Sequence, residues 1–235
     1  MNPYLAECVG TALLVLLGDG VVAGVLLKKS KSENAGWIVI TTGWALAVTF
    51  GVYFAGKSSG AHLNPAVTIA LASAGSFSWS LVPGYILAQV IGAFIGALLV
   101  YIQYLPHWSH TEDAATKLAV FSTSPAIGHT AGNFTSEFIG SFVLMLGLSS
   151  LGAAHFAEGL NPLVIGLLVS AIGLSLGGAT GYAINPARDF GPRLAHYFLP
   201  IPGKGDSDWG YAWIPIAGPI AGGVCGALFY RLVAG

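Results

Sequence analysis

Six long apolar stretches make up most of this chain, and they restrict its fold more than any other feature of the sequence. A helix of about 20 apolar residues can cross the hydrocarbon layer of a membrane, which is about 30 Å thick. Water is absent there, so a crossing segment must satisfy its own backbone hydrogen bonds, as an α-helix does. The predicted spans are Pro3–Leu27, Gly36–Ala55, Ser80–Tyr104, Gly132–His155, Leu160–Leu176 and Tyr211–Val233.

The charge content agrees with a location in the membrane. Charged residues are 8% of the chain, whereas a soluble domain averages about 25%. So few charges cannot cover the surface of a soluble protein. The two cysteines, Cys8 and Cys225, fall inside apolar spans without metal-ligand spacing, so we interpret them as buried, inert thiols. No cofactor and no nucleic-acid partner is expected.

Two further apolar stretches are too short to cross, and both belong to an internal repeat. Asn64–Ala74 and Asn185–Phe198 each begin with Asn-Pro, an N-cap followed by the proline favoured at the first helical position. A helix of about eleven residues is only about 16 Å long. The repeated segments are "AECVGT" (6–11) with "SEFIGS" (136–141), "SGAHLNPAVT" (59–68) with "TGYAINPARD" (180–189), and "AQVIGAFIGAL" (88–98) with "GPIAGGVCGAL" (218–228).

The repeat predicts how the two halves lie in the membrane. Each half holds three spans and one half-helix, and an odd number of crossings gives the halves opposite orientations. The expected architecture is a single domain, residues 1–235, with halves at about 1–104 and 132–235 joined by a loop at 105–131. The irregular backbone before each half-helix is tolerable in a bilayer only if it is buried or lines a water-filled cavity. It is therefore predicted to line a conduit.

The chemistry expected where the half-helices meet favours a neutral solute. Asn64 and Asn185 are each predicted to cap a half-helix and to present an amide donor to the conduit. The positive ends of two helix dipoles converge there and oppose cations. A coupled secondary transporter would need carboxylates at these junctions, and Asp189 is the only one. An enzyme would need a nucleophile with a positioned base, for which His62 is the only candidate.

The sequence resembles the major intrinsic protein family, the aquaporins and aquaglyceroporins, and most of all bacterial glycerol facilitators. The resemblance lies in the paired motifs "HLNPAVT" and "INPARDFGPR", in the two Glu-x-x-Gly-Thr/Ser segments that open the halves, and in the repeat. The resemblance implies an all-α membrane protein of the aquaporin fold, with six transmembrane helices and two re-entrant half-helices in an inverted repeat. It implies a passive channel, not an enzyme, for glycerol, other small uncharged solutes and water, which excludes ions and protons. The alternatives are a channel mainly for water, protonated lactic acid or dihydroxyacetone, and, in a different class, a coupled secondary transporter.

The resemblance also implies roles for individual residues through their positions in the motifs. The arginine-containing ring at the narrowest point of the family's pore, its selectivity filter, corresponds to Trp44, Gly173, Tyr182 and Arg188. The Asn-Pro-Ala motifs are Asn64, Pro65, Ala66, Asn185, Pro186 and Ala187. The ladder of pore carbonyl groups is Gly60, Ala61, His62, Gly181, Tyr182 and Ala183. Structural support is implied for Glu7, Glu137 and Asp189, with the two glutamates accepting hydrogen bonds from the loops.

Several side chains depart from a simple pattern. Tyr182 replaces the phenylalanine usual in glycerol facilitators, and its hydroxyl is expected at the filter, where it would shift the solute preference. Asp19 in the first span is predicted to line a subunit interface or reach the outer surface, beside a helix-packing motif at Gly20 and Gly24. Five histidines are predicted to face solvent: His107, His110, His129, His155 and His196.

The resemblance implies a homotetramer in a bacterial plasma membrane, in contact with lipid and with both termini in the cytoplasm. The positive-inside rule favours the opposite orientation. The implied orientation leaves only Lys57 and Arg231 in the cytoplasm. The basic residues that it places toward the outside are Lys28, Lys29, Lys31, Lys117, Arg188, Arg193 and Lys204.

Overall fold

The computed structural model describes residues 1–234 and contains helices and connecting turns but no strand over that range. The α-helices are α1 (Pro3–Leu26), α2 (Trp37–Ser59), α3 (Pro65–Ser73), α4 (Val82–Gln103), α5 (Ala114–Phe121), α6 (Thr130–Gly152), α7 (Asn161–Leu176), α8 (Pro186–Phe198) and α9 (Ile214–Ala234). Short 3-10 turns lie at Trp79–Leu81 and Leu105–His110. The predicted second half ended at Gly235, which lies outside the described residues.

The predicted all-α fold is confirmed, and the six predicted spans correspond to six apolar helices. Five of them, α1, α2, α4, α6 and α9, are long and apolar enough to cross a membrane. The sixth, α7, has 16 residues and is about 24 Å long. Pro162 lies in its first turn, and a proline disfavours the helical conformation of the residue before it, so the helix does not extend further toward the N-terminus. This span is therefore shorter than the other five.

The two half-helices are α3, with 9 residues, and α8, with 13 residues. Each is preceded by its asparagine N-cap: the Asn64 Oδ1 accepts from Ala66 N at 2.9 Å, and the Asn185 Oδ1 accepts from Ala187 N at 3.0 Å. Together the two helices measure about 33 Å, close to the hydrocarbon thickness of about 30 Å. Placed end to end, they are long enough to span that layer jointly.

The two halves of the chain pack into each other. Within the halves, α1 packs against α2 and α4, and α6 packs against α7 and α9. Between the halves, α2 packs against α7, while α3 packs against α9 and α8 packs against α4. Each half-helix therefore lies against a full-length helix of the opposite half, so both half-helices depend on both halves for their position.

Two glycines at equivalent places in the repeat let these helices approach at backbone distance. A Cβ atom on Gly92 of α4 would lie 2.1 Å from the carbonyl oxygen of Cys8 in α1. A Cβ atom on Gly222 of α9 would lie 2.0 Å from the carbonyl oxygen of Phe138 in α6. No side chain fits in either place, and small residues at such crossings let membrane helices pack closely.

The connection between the halves is not the loop that was predicted at residues 105–131. It contains α5, whose first turn is capped by Asp113: the carboxylate accepts a hydrogen bond from Thr116 N at 2.8 Å. Trp108 is buried, and its ring stacks on that of Phe121 with 5.4 Å between centroids. Because α5 packs against α1 and α8, the connection forms a wall beside the second half-helix.

The two cysteines are not both buried as predicted: Cys8 is half-buried and Cys225 is exposed.

Two further residues in helices also differ from their predictions. His196 is fully buried in α8, and its Nδ1 lies 2.8 Å from the hydroxyl oxygen of Ser207, so it does not face solvent. A Cβ atom on Gly20 would meet nothing within 4 Å, so this residue makes no close helix contact in the described chain. Gly24, its predicted partner, instead lies close to Ser32 and Tyr104.

Several basic residues in the loops bind carbonyl groups of the fold. Lys204 donates to the carbonyl oxygens of His196 at 2.7 Å and Leu199 at 2.8 Å, near the C-terminal end of α8. Partial burial lowers the pKa of Lys204 from its ordinary value. Lys117 donates to the carbonyl oxygen of Pro202. These two lysines therefore join loop segments to each other and to a half-helix.

Candidate channel and constriction

The chain enters each half-helix through the same unusual backbone conformation. The residues with left-handed φ are Gly60 (83°), Ala61 (51°) and Leu63 (51°) in the first loop, and Gly181 (84°), Tyr182 (42°) and Ile184 (43°) in the second. For a residue other than glycine this conformation costs about 1–2 kcal/mol. It persists only where surrounding contacts hold the backbone. The repeat thus extends to the dihedral angles, and both loops need support.

A buried carboxylate supports the first loop. The Glu7 Oε1 accepts hydrogen bonds from His62 N at 2.9 Å and from the Ser59 hydroxyl at 2.6 Å. Its Oε2 accepts from Leu63 N at 2.7 Å and from the Gln89 amide at 2.7 Å. All four contacts are donors to one carboxylate, and hydrogen bonds to a charged acceptor are stronger than neutral ones. Glu7 therefore ties α1 and α4 to the loop before α3.

Glu137 does the same for the second loop. Its Oε1 accepts from Ala183 N at 2.9 Å and from the Thr180 hydroxyl at 2.6 Å. Its Oε2 accepts from Ile184 N at 2.8 Å. The bonded N–H groups belong to Ile184, which has a positive φ, and to Ala183, which separates it from Tyr182 with the other positive φ, so the carboxylate holds the strained part of the loop in place.

The two capping asparagines also link the loops to each other. The Asn64 Nδ2 donates to the carbonyl oxygen of Ile184 at 2.8 Å, and the Asn185 Nδ2 donates to that of Leu63 at 2.8 Å. An amide nitrogen has two hydrogens, so each asparagine keeps a second N–H. Both residues line the cavity described next. Each asparagine therefore has one donor available to a molecule in that cavity.

A cavity of about 880 Å³ runs through the interior of the chain. Trp44 and Lys57 both line it and both lie on α2, about 20 Å apart along the helix axis. Tyr182 and Arg188 line it with Trp44, while Arg231 lines it with Lys57. Of the six residues predicted to present pore carbonyl groups, those lining the cavity are Gly60, Ala61, His62, Tyr182 and Ala183. The cavity is therefore a long conduit bordered by both loops.

Trp44 and Arg188 meet at one end of this conduit. The Arg188 guanidinium carbon lies 4.1 Å from the centroid of the Trp44 ring, within range of a cation–π interaction. The Arg188 Nη1 donates to the carbonyl oxygen of Phe121 at 3.2 Å. With the ring of Tyr182 beside them, the wall combines aromatic surfaces with a fixed set of N–H donors.

Gly173 lies behind the ring of Tyr182 and makes room for it. A Cβ atom on Gly173 would lie 2.8 Å from Tyr182 Cζ, and the Gly173 carbonyl accepts from Trp37 Nε1 at 3.0 Å. The Trp37 ring also meets Tyr182 edge-on, with 5.7 Å between centroids. The Tyr182 hydroxyl oxygen is buried and has no hydrogen-bond partner among residues 1–234. The hydroxyl therefore points into the protein, and the expected contact with a solute at the filter is wrong.

Asp189 and Arg193 hold the loops that cover the second half-helix. The Asp189 Oδ2 accepts from Thr123 N at 2.8 Å and from the Thr123 hydroxyl at 2.7 Å, while its Oδ1 accepts from Arg193 Nε at 2.9 Å. Arg193 in turn donates to the carbonyl oxygens of Thr123, Ser207 and Asp208. With Phe121, this places the connection between the halves directly beside Arg188. The sequence marks neither Phe121 nor Thr123, because they contact the site largely through backbone atoms.

Asp19 is fully buried, and its Oδ1 lies 3.4 Å from Arg188 Nη1. The prediction that it lines a subunit interface or reaches the outer surface is therefore wrong. It lies behind the constriction, inside the described chain.

This arrangement can be compared with known proteins. A model of the major intrinsic protein family matches residues 1–230. The chain belongs to the major intrinsic protein family. Its predicted family and its predicted nature as a membrane channel, not an enzyme, are thereby confirmed.

Individual members of the major intrinsic protein family cover almost the whole chain. The "Probable glycerol uptake facilitator protein" of Thermotoga maritima is 64% identical over 231 residues, which are 98% of this chain and 99% of that one. The "Glycerol uptake facilitator protein" of Bacillus subtilis is 60% identical over 231 residues, 98% of this chain and 84% of that one. The X-ray structure of the aquaglyceroporin from Plasmodium falciparum superimposes with a TM-score of 0.86 at 33% identity, covering 98% of this chain and 95% of that one.

Proposed function

We propose that this chain is a passive channel for glycerol and other small uncharged solutes, and also for water, and that it excludes ions and protons. The observation that carries the proposal is the composition of the conduit wall where Trp44, Tyr182 and Arg188 meet. Aromatic rings suit the carbon backbone of a polyol, and guanidinium N–H groups and loop carbonyl oxygens suit its hydroxyl groups. Relatives named as glycerol uptake facilitators, at 64% and 60% identity, support the same solute.

Passage of glycerol requires that the wall replace the solute's hydrogen bonds to water. The loop residues supply acceptors along one side of the conduit, and the second N–H groups of Asn64 and Asn185 supply donors midway. A polar molecule that keeps its hydrogen bonds avoids most of the penalty of leaving water. No moving part is needed for such a passage.

Ion exclusion follows from the charge near the half-helices. Each N-terminus carries the positive end of a helix dipole, and both are aimed at the conduit. A cation would lose its water shell and meet these positive ends, whereas a neutral hydroxyl would not. Barriers of this kind are known for aquaporin-type pores.

The test is stopped-flow light scattering on proteoliposomes that hold the purified protein. Inward glycerol gradients should produce entry much faster than in protein-free liposomes, with weak temperature dependence and no effect of a collapsed proton gradient. Arg188→Val should change the ratio of glycerol to water permeability, while Lys31→Met, which removes an exposed loop charge, should not.

Other results would identify other channels. Rapid water flow with glycerol excluded would indicate a water channel, and faster entry of lactic acid or dihydroxyacetone than of glycerol would indicate a different main solute. Uptake that requires a proton or sodium gradient would contradict the passive mechanism and favour a coupled transporter.

We further infer that the protein is a homotetramer in a bacterial plasma membrane, surrounded by lipid, with both termini in the cytoplasm. Many large apolar side chains are exposed on the single chain, including Ile38, Leu87 and Leu167, which suits contact with lipid or other subunits. The hydrogen bonds of Lys117 and Lys204 to backbone carbonyl groups give both lysines a role in the fold, which the positive-inside count does not take into account. Native mass spectrometry and reporter fusions at the C-terminus test the two parts separately.

A further inference from the structure

Asp19 is a buried carboxylate that the conduit itself does not use. It is fully buried and does not line the conduit. Within the part of the chain that the structure describes, neither of its oxygens receives a hydrogen bond. Its contact with a charged group is the 3.4 Å approach of its Oδ1 to Arg188 Nη1. A buried carboxylate without hydrogen bonds is costly unless an opposite charge compensates it.

The residue before Asp19 also lies behind the constriction. Gly18, the preceding residue, leaves space for the Trp44 ring: a Cβ atom there would lie 2.3 Å from Trp44 Cζ3. Trp44 in turn lies against the Arg188 guanidinium. Two consecutive residues of α1 therefore support the constriction from behind: Gly18 lies against the Trp44 ring, and Asp19 lies against the Arg188 guanidinium.

Arg188 is held from several directions. Its Nη1 faces both Asp19 and the Phe121 carbonyl oxygen, and the Trp44 ring covers one side of the guanidinium. A guanidinium has five N–H donors in a rigid plane. Because Nη1 is directed away from the conduit, the remaining donors are the ones available to a passing hydroxyl.

We propose that Asp19 is the counter-ion of Arg188, a positioning residue that fixes the guanidinium and cancels its charge. This inference rests on the proposed function, since it concerns the same constriction. The constriction then selects by the geometry of its donors and aromatic surfaces, with a net charge near zero. Ion exclusion is left to the half-helix dipoles and to the cost of dehydration.

Removal of the two charges, singly and together, provides the decisive experiment. Arg188→Val removes the guanidinium and opens the space that it filled to water from the conduit. The Asp19 carboxylate is then hydrated and keeps its negative charge without a counter-ion, so it should attract cations. Sodium entry into proteoliposomes held at a negative internal potential should rise on the order of tenfold over the parent protein. In the double variant Asp19→Asn with Arg188→Val, no charge remains at either position, so sodium entry should return to near the parent rate.

A second measurement isolates the positioning role. Asp19→Asn alone keeps the side-chain size but removes the charge, and glycerol entry should fall by about threefold to tenfold, the loss expected for one charge-assisted interaction. Asp19→Glu, which retains the charge, should recover part of the loss. Glu33→Gln is the matched control: it removes a partly exposed loop carboxylate that pairs with Lys28 outside the conduit lining, and glycerol entry should be unchanged.

The outcomes separate this proposal from the proposed function. Equal sodium entry in the double variant and in Arg188→Val would overturn the counter-ion role, as would no rise in Arg188→Val itself. Parent protein that passes no glycerol would contradict the proposed function, while the sodium comparison would still decide the role of Asp19. If Asp19→Asn folds poorly, the double variant still gives that comparison, because it contains no unpaired buried charge.

Discussion

The close packing of α6 against α9 predicts a large difference between two neighbouring glycines. Gly222 and Gly223 are both buried in α9. A Cβ atom on Gly222 would lie 2.0 Å from the Phe138 carbonyl oxygen, whereas one on Gly223 would have its nearest neighbours at 3.4 Å. The methyl group of Gly222→Ala therefore overlaps backbone atoms of Phe138. The methyl group of Gly223→Ala makes only ordinary van der Waals contacts.

The cost at Gly222 can be estimated from the required displacement. A carbon and an oxygen atom normally stay about 3.2 Å or more apart, so α6 and α9 must separate by about 1.2 Å. A gap of about 1 Å already loses up to half of the dispersion energy of the contacts that it opens. Overpacking typically costs about 1–3 kcal/mol and occasionally more. Because backbone atoms must move here, we take a cost of about 3–5 kcal/mol, of which alanine returns about 1 kcal/mol through its higher helix propensity. The net loss is about 2–4 kcal/mol.

The assay is thermal unfolding of the purified variants in one detergent, followed by loss of the monodisperse peak after heating. With about 2–4 °C per kcal/mol for a chain of this size, Gly222→Ala should lower the apparent Tm by roughly 5–15 °C. Gly223→Ala should leave it unchanged or raise it slightly. Gly92→Ala, at the equivalent place in the first half, should behave like Gly222→Ala.

The comparison of the two alanine variants decides whether α6 and α9 are in backbone contact. If Gly222→Ala and Gly223→Ala unfold within about 2 °C of each other, the loss is under about 1 kcal/mol, and α6 and α9 are not packed at backbone distance. A destabilised Gly223→Ala with an unaffected Gly222→Ala would indicate that α9 is rotated about its axis.

Three further predictions concern single side chains. Glu137→Gln replaces one acceptor oxygen by an NH₂ group that faces backbone N–H donors, so the apparent Tm should fall by an amount equivalent to about 3 kcal/mol, and glycerol entry should slow. Tyr182→Phe removes a buried hydroxyl without a partner among residues 1–234, so stability should be kept or rise by about 1 kcal/mol, with an unchanged glycerol-to-water ratio. The side-chain and backbone hydrogen bonds from Thr116 hold the pKa of Asp113 below its ordinary value, so the stability that they add is present at neutral pH and is lost as the pH falls through that lowered pKa. The apparent Tm of Asp113→Asn should therefore lie below that of the parent at pH 7, and the difference should shrink as the pH falls below the ordinary pKa of an aspartate.

The large elements of this fold could be predicted because each is specified locally. A long apolar stretch needs no partner to be recognised as a membrane helix, since the absence of water dictates its hydrogen bonding. Asn64 and Asn185, each followed by proline, mark the starts of α3 and α8 by their own capping chemistry. The internal repeat then gave the symmetry that relates the two half-helices.

The connection between the halves shows where local signals are insufficient. Its helix α5 has eight residues, which is too short for a helix to be recognised from its sequence alone. It is stabilised mainly by burial against α1 and α8. The contact of Phe121 with Arg188 uses a backbone carbonyl, which every residue type carries, so no sequence pattern could have indicated it.

The helices, the two half-helix starts, the inverted repeat and the family follow from the amino-acid sequence alone, because apolar length, capping residues and repeated motifs are properties of short segments. Which side chains meet depends on tertiary contacts. Asp19 lies far from Arg188 along the chain, and it pairs with Arg188 because α1 and α8 are brought together by the packing of both halves. The Tyr182 hydroxyl turns into the protein because Gly173, on α7, leaves room for the tyrosine ring of the loop before α8. The charge and shape of the constriction are therefore set by contacts between distant segments, which no single stretch of the sequence contains.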